Sequence, residues 1–243
     1  MVRLIRALSV VMIVAMAVMA AAQDAPMPQA VQVEASDRLT LVGDYYVSPS
    51  ELGARPAVLL MHMYGSGRAS WTPVIPALLE AGYDVLAVDL RGHGDTGGAE
   101  DWELAVGDVQ VWLDWLRAQP GVRAEAVSTM GASVGSNLAL IGCANDAQCV
   151  TAIALSPGLN FFGVQPETSV SEGLKDRSAL LLATQADMES SEAVRQMVMT
   201  AQGEIGARIW PGATHGTDMF VSPKMRNRLI PIIVGWLDEH QPQ

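Results

Sequence analysis

The chain has 243 residues, 50% of them hydrophobic and 17% charged, with a formal net charge of −11 at pH 7. Those values suit one folded domain with a sizeable core and exclude a disordered chain. Only two lysines occur, Lys175 and Lys224, and no Lys/Arg stripe forms, which argues against a nucleic-acid partner.

Taken in order, the chain begins with Arg3 and Arg6, then an uncharged apolar run over residues 7–22 that ends in three alanines. This pattern predicts a cleaved export signal over residues 1–22 and a mature domain over residues 23–243, periplasmic or extracellular and free of the membrane. A retained anchor is the alternative, and the run is short for one, since a span takes about 20 apolar residues. Residues 23–30 read as a flexible entry segment. Strands are predicted at 40–47, 57–62, 84–89, 124–130, 151–156, 179–184 and 207–210. Helices are predicted at 73–81, 101–119, 134–144, 190–202 and 222–240. Continuous apolar runs such as AVLLMH and DVLAVD read as strands buried on both faces. In the helix at 101–119, Trp102, Val106, Val109, Leu113 and Leu116 recur at helical spacing, so its tryptophans read as packing rather than a ligand cage. Strand and helix in alternation predict a mainly parallel sheet with helices on both faces, whose functional residues gather at the carboxyl ends of the strands. Cys143 and Cys149 are the only cysteines, and in an oxidising compartment they are expected to pair. No histidine lies near them, so a metal site is not indicated there.

Gly131-Ala132-Ser133-Val134-Gly135 matches G-x-S-x-G between a predicted strand and a predicted helix, the setting of a nucleophile elbow. The glycines leave room for a strained turn that lifts Ser133 above the sheet edge at a helix N-terminus. A serine nucleophile needs a base, and the base needs an orienting acid. Of the four histidines, His215 lies in the loop after the last strand, the place such an elbow requires. His62, His93 and His240 do not meet that requirement. The acid is placed at Asp187, two residues beyond the ALLLAT strand, with Glu189 as its substitute. For an oxyanion, one donor is the backbone N–H of Val134; the second is assigned to Tyr64, with Met63 in reserve. The Tyr64 ring, Phe161 and Phe162 are candidate walls of a substrate pocket, and packing of the 158–177 loop accounts for the two phenylalanines equally well.

These motifs together, HMYGSG, DLRGHGDTGG, GASVGS, QADMESSEAV and THGTD, resemble the α/β-hydrolase superfamily over nearly the whole mature chain. Within it the chain is most similar to the small serine esterases and the dienelactone hydrolase-like group. The resemblance implies an α/β-hydrolase fold and cleavage of small carboxylic esters through an acyl-enzyme on a Ser133–His215–Asp187 triad. It implies no metal or organic cofactor. Only residues 158–177 are available for a cap, so the site is expected to be open and to prefer short acyl groups. A peptidase or amidase on the same triad, or a non-catalytic binding domain of the same fold, are the competing readings.

Overall fold

The computed structural model describes residues 27–49, 53–175 and 177–242; the expected export signal lies outside the described residues. Eight strands form one sheet in the order β1-β2-β4-β3-β5-β6-β7-β8. They are β1 (Gln29–Glu34), β2 (Thr40–Tyr46), β3 (Arg55–Met61), β4 (Asp84–Asp89), β5 (Val122–Ala132), β6 (Cys149–Leu155), β7 (Ser178–Thr184) and β8 (Glu204–Trp210). β3 through β8 run parallel, while β1 and β2 add an antiparallel edge. All six parallel strands therefore deliver their carboxyl ends to one edge.

Among the described residues five helices cover the sheet: α1 (Ile75–Glu80), α2 (Trp102–Arg117), α3 (Val134–Asn145), α4 (Met188–Thr200) and α5 (Pro223–Glu239). The period of two in each strand splits the core. Val58 and Leu60 of β3 join Leu78 of α1 and Ile233 of α5 on one face. Ala57, Leu59 and Met61 join Leu113 of α2 and Leu138 of α3 on the other, and α4 extends that face with Val194 and Met197. Between β6 and β7 there is a hairpin-like bridge between Phe161 and Val164 and a short π-turn at Ser169–Gly173, with no added helical layer among the described residues. The core architecture matches the expectation.

One segment differs from the sequence reading. The flexible entry expected over 23–30 is, from Gln29, an edge strand whose register runs from Gln29 opposite Tyr45 to Glu34 opposite Thr40. Only Val31 of that strand is buried, so its apolar signal is one residue deep.

At the amino edge of the sheet, the buried Asp84 carboxylate accepts from the Tyr45 hydroxyl (2.6 Å), the Ser48 N–H (2.8 Å) and the Arg55 guanidinium (2.7 and 3.0 Å). Cys143 and Cys149 are joined in a disulfide that staples the end of α3 to the first residue of β6. Closing so short a loop is worth about 2 kcal/mol in the chain-entropy account. Replacing both cysteines with serine is expected to lower Tm by roughly 4–8 °C, read by calorimetry. An unchanged Tm would mean the staple adds nothing to a helix end already held by other contacts.

Candidate active site

Ser133 joins β5 to α3 with φ 54° and ψ −124°, a left-handed backbone that a side chain adopts only under constraint. The constraint is the approach of α3 to the sheet. A Cβ on Gly131 would lie 1.9 Å from the Gly135 carbonyl oxygen. A Cβ on Gly135 would lie 2.4 Å from the carbonyl oxygens of both Met61 and His62. Only glycine fits at either place. The Ser133 N–H donates to the Leu155 carbonyl (2.9 Å), and the Ser133 carbonyl accepts from the Ser136 N–H (2.8 Å) and hydroxyl (2.5 Å). Val134, the first residue of α3, belongs to the helix end whose N–H groups have no intrahelical acceptor.

His215 lies beyond β8, and its Nδ1 is 2.7 Å from Asp187 Oδ2. The Asp187 side chain is 12% exposed and that of His215 37%, so the carboxylate is sheltered and the imidazole reaches outward. The two loops are tied together by backbone: the Gln185 N–H donates to the Trp210 carbonyl and the Ala186 N–H to the Gly212 carbonyl. Thr184 Oγ1 donates to the Thr214 carbonyl (2.8 Å). Glu189, the alternative acid, lies exposed in the first turn of α4. Gly216, next to His215, sits where a Cβ would be 3.4 Å from Ala132 Cβ and 2.9 Å from Met63 Sδ. The neighbours of His215, of Ser133 and of Tyr64 thus converge on Gly216.

Ser156 helps fix this point. It is buried at the end of β6 with φ 52°, and its hydroxyl oxygen accepts from the Gly216 N–H (3.0 Å). The signal for it in the sequence is its place, the residue that follows a parallel strand.

The loop after β3 is pinned to the loop after β4 by two histidines. The Leu90 N–H donates to His62 Nε2 (3.0 Å), so Nδ1 holds the proton and donates to the Met63 carbonyl (2.7 Å). The Gly65 N–H donates to His93 Nε2 (3.2 Å), and His93 Nδ1 donates to the Arg91 carbonyl (3.1 Å). All four ring nitrogens of His62 and His93 are thus engaged with backbone partners. Asp89, at the end of β4, accepts from the backbone N–H groups of Arg68 (2.8 Å) and Asp95 (2.9 Å) and from the Arg68 guanidinium.

Aromatic rings border this edge. The Phe161 ring stands edge-on to His215 with centroids 6.2 Å apart. Phe162 lies 4.8 Å from the Tyr64 ring and stacks on Trp102 at 5.3 Å and 15°. Trp102 packs against the core as expected, and its ring also stacks on Phe162. Asp101 caps α2 by accepting from the Leu104 N–H, which leaves Trp102 as the first helical residue, half-buried beside the site, while Trp112 is the buried one.

A family described as alpha/beta hydrolase fold matches residues 56–182, more than half of the chain. Bifunctional epoxide hydrolase 2 of Rattus norvegicus is 42% identical over 53 residues, 22% of this chain and 10% of that protein. The chain thus spans about a tenth of the length of that curated relative. Among solved structures, a dienelactone hydrolase from Anabaena variabilis is similar with TM-score 0.74 and 21% identity, covering 90% of this chain and 100% of that one. The Pyrococcus furiosus esterase Pf2001 gives TM-score 0.72 and 18% identity, covering 89% and 94%.

The pinned histidine His62 has a measurable consequence. Burial holds its pKa down at about 4, against an ordinary imidazole value near 6.5. Between those values the unfolded chain takes up a proton that the folded chain refuses. The stabilisation is therefore complete above about pH 6.5 and is lost as pH falls toward 4, by about 3 kcal/mol in all. Urea unfolding at pH 7 and pH 4.5 should show a fall in stability that is smaller by about 2–3 kcal/mol in His62→Gln. Equal falls in the two proteins would show that other groups govern the acid limb.

Proposed function

We propose, from the premise that this chain belongs to the alpha/beta hydrolase fold family, that it is a serine hydrolase of short-chain carboxylic esters. The observation that carries this reading is the His215 Nδ1 to Asp187 Oδ2 hydrogen bond of 2.7 Å, made beside a left-handed serine elbow on the same sheet edge. An imidazole held at Nδ1 by a carboxylate keeps Nε2 as the proton acceptor.

In the proposed reaction Ser133 Oγ attacks the ester carbonyl carbon and its proton passes to His215 Nε2. The carbonyl oxygen gains the electron pair, and the Val134 N–H at the start of α3 is one donor to it. The Gly65 N–H is committed to His93 and the Ser66 N–H to the Met63 carbonyl, which narrows the second donor to Tyr64 or Met63. Collapse breaks the bond to the alcohol, which leaves with the proton from His215, and the acyl group stays on Ser133. Water, deprotonated by His215, then releases the acid and restores the serine.

A small-molecule ester is the proposed substrate. Phe161, Phe162 and the Tyr64 ring serve as walls of an open cleft, because the described residues between β6 and β7 add no helical layer over it. Each added methylene in such a cleft gains less than the roughly 0.8 kcal/mol of full burial. The buried Cys143–Cys149 disulfide supports export to an oxidising compartment. Among the described residues no helix is long and apolar enough to cross a membrane.

Ser133→Ala is expected to abolish p-nitrophenyl ester hydrolysis and fluorophosphonate labelling while keeping the fold; more than a tenth of wild-type activity in clean protein would sink the nucleophile assignment. Asp187→Asn should cost far more activity than Glu189→Gln, and the reverse order would move the acid to Glu189. Across p-nitrophenyl esters, kcat/KM is expected to level off beyond about four to six acyl carbons. A steep climb to long chains would mean that the 158–177 segment closes over the serine.

A further inference from the structure

The hairpin that follows β6 holds more aromatic surface than folding requires. Phe162 sits at its turn with φ 54°, a backbone that favours glycine or asparagine, and its residue surface is 55% exposed. The Tyr64 ring that it meets belongs to a residue 48% exposed. A left-handed phenylalanine and two half-exposed rings both weigh against stability, and strain of this kind concentrates where a site needs it.

The hairpin is nonetheless held firmly. Phe161 and Val164 exchange backbone hydrogen bonds (3.2 and 2.8 Å), and Asn160 Oδ1 accepts from the Gly163 N–H (2.8 Å). Asn137, fully buried one turn along the helix that Ser133 begins, donates to the carbonyls of Gly158 (3.0 Å) and Val164 (2.8 Å). Its Oδ1 accepts from the Gly158 N–H (3.1 Å). The helix that sets the serine also sets the rings. The result is a strip of rings that starts at Phe161 beside His215 and continues through Phe162 to Trp102, stacked on it at 15°, and to Tyr64, tilted at 36°. Asp101 and Glu103 flank Trp102 in the chain, so the strip disfavours an anion.

We propose that Phe162, Tyr64 and Trp102 form a subsite that stacks a flat, uncharged aromatic ring carried by the substrate. The proposal rests on the ester-hydrolase reading for the bond cleaved, and it adds the substrate class: esters bearing an aryl group. Flat rings stack on such faces with an advantage beyond area burial, whereas a saturated ring of similar size is at least as apolar and cannot stack.

Two matched pairs test it: benzyl acetate against cyclohexylmethyl acetate, and methyl phenylacetate against methyl cyclohexylacetate. The bonds cleaved within each pair are alike, and the pair that responds locates the ring on the alcohol or the acyl side. Wild-type kcat/KM is expected to favour the aryl member of at least one pair by about three- to tenfold, mainly through KM. In Phe162→Asn the ratio should fall to near one while Tm holds or rises, because asparagine tolerates the left-handed backbone. Dissociation constants for the same four compounds, taken by ligand-observed NMR on Ser133→Ala, read the subsite without turnover. Should wild type hydrolyse none of the esters, the ester reading fails. A three- to tenfold aryl preference in those dissociation constants, lost in Ser133→Ala with Phe162→Asn, would still uphold the subsite. Ratios near one in both pairs, or an aryl preference that survives Phe162→Asn, would overturn it.

Discussion

Everything at the carboxyl edge depends on how closely α3 approaches the sheet. Gly131 and Gly135 let the helix start against β5 and the end of β3 at distances where a single methyl group would collide with backbone oxygens. That approach forces Ser133 into its left-handed turn. It also sets where Asn137 points, and through Asn137 where the β6 hairpin lies. One steric constraint therefore fixes both the serine and the rings beside it. A larger residue at either glycine would displace the helix as a whole, because the opposing atoms are backbone and cannot rotate away.

The loops around the elbow are held by buried polar groups rather than by apolar packing. His62 and His93 fasten the β3 loop to the β4 loop through four ring nitrogens, each with a backbone partner. Arg91 lies beneath them, its guanidinium paired in a fork with Asp108 and also bound to Asp37. Such networks stiffen a loop only while every member is satisfied, since an unpaired polar atom in a low-dielectric interior is costly. This gives the edge definite geometry, and it ties that geometry to the protonation state of His62, which lies outside the His215–Asp187 pair.

Much of this was legible in the sequence because the decisive signals are local. A strand, G-x-S-x-G and a helix follow one another directly, and Asp187 and His215 each lie just beyond a run of strand residues. The unread parts had weak or long-range signals. β1 buries one valine and follows Pro28, so neither alternation nor composition marks it. Trp102 shares the helical period of the core stripe of α2, and only its place at the first turn sets it beside the site. Asn137 is one polar residue in an apolar helix whose partners lie 21 and 27 residues away. Ser156 is revealed by a hydrogen bond across 60 residues.

The segment between β6 and β7 is fastened at two points. Asn137 grips it at Gly158 and Val164, and Arg177 grips it from the other side by donating to the carbonyls of Gly173 and of Ala144 at the end of α3. Between those anchors the chain at Gln165, Glu167 and Thr168 is exposed. Added length there would emerge into solvent and leave both anchors intact. The architecture thus contains a ready insertion point, at which a lineage could acquire a roof, and with it a different diet of substrates, without refolding the machinery below.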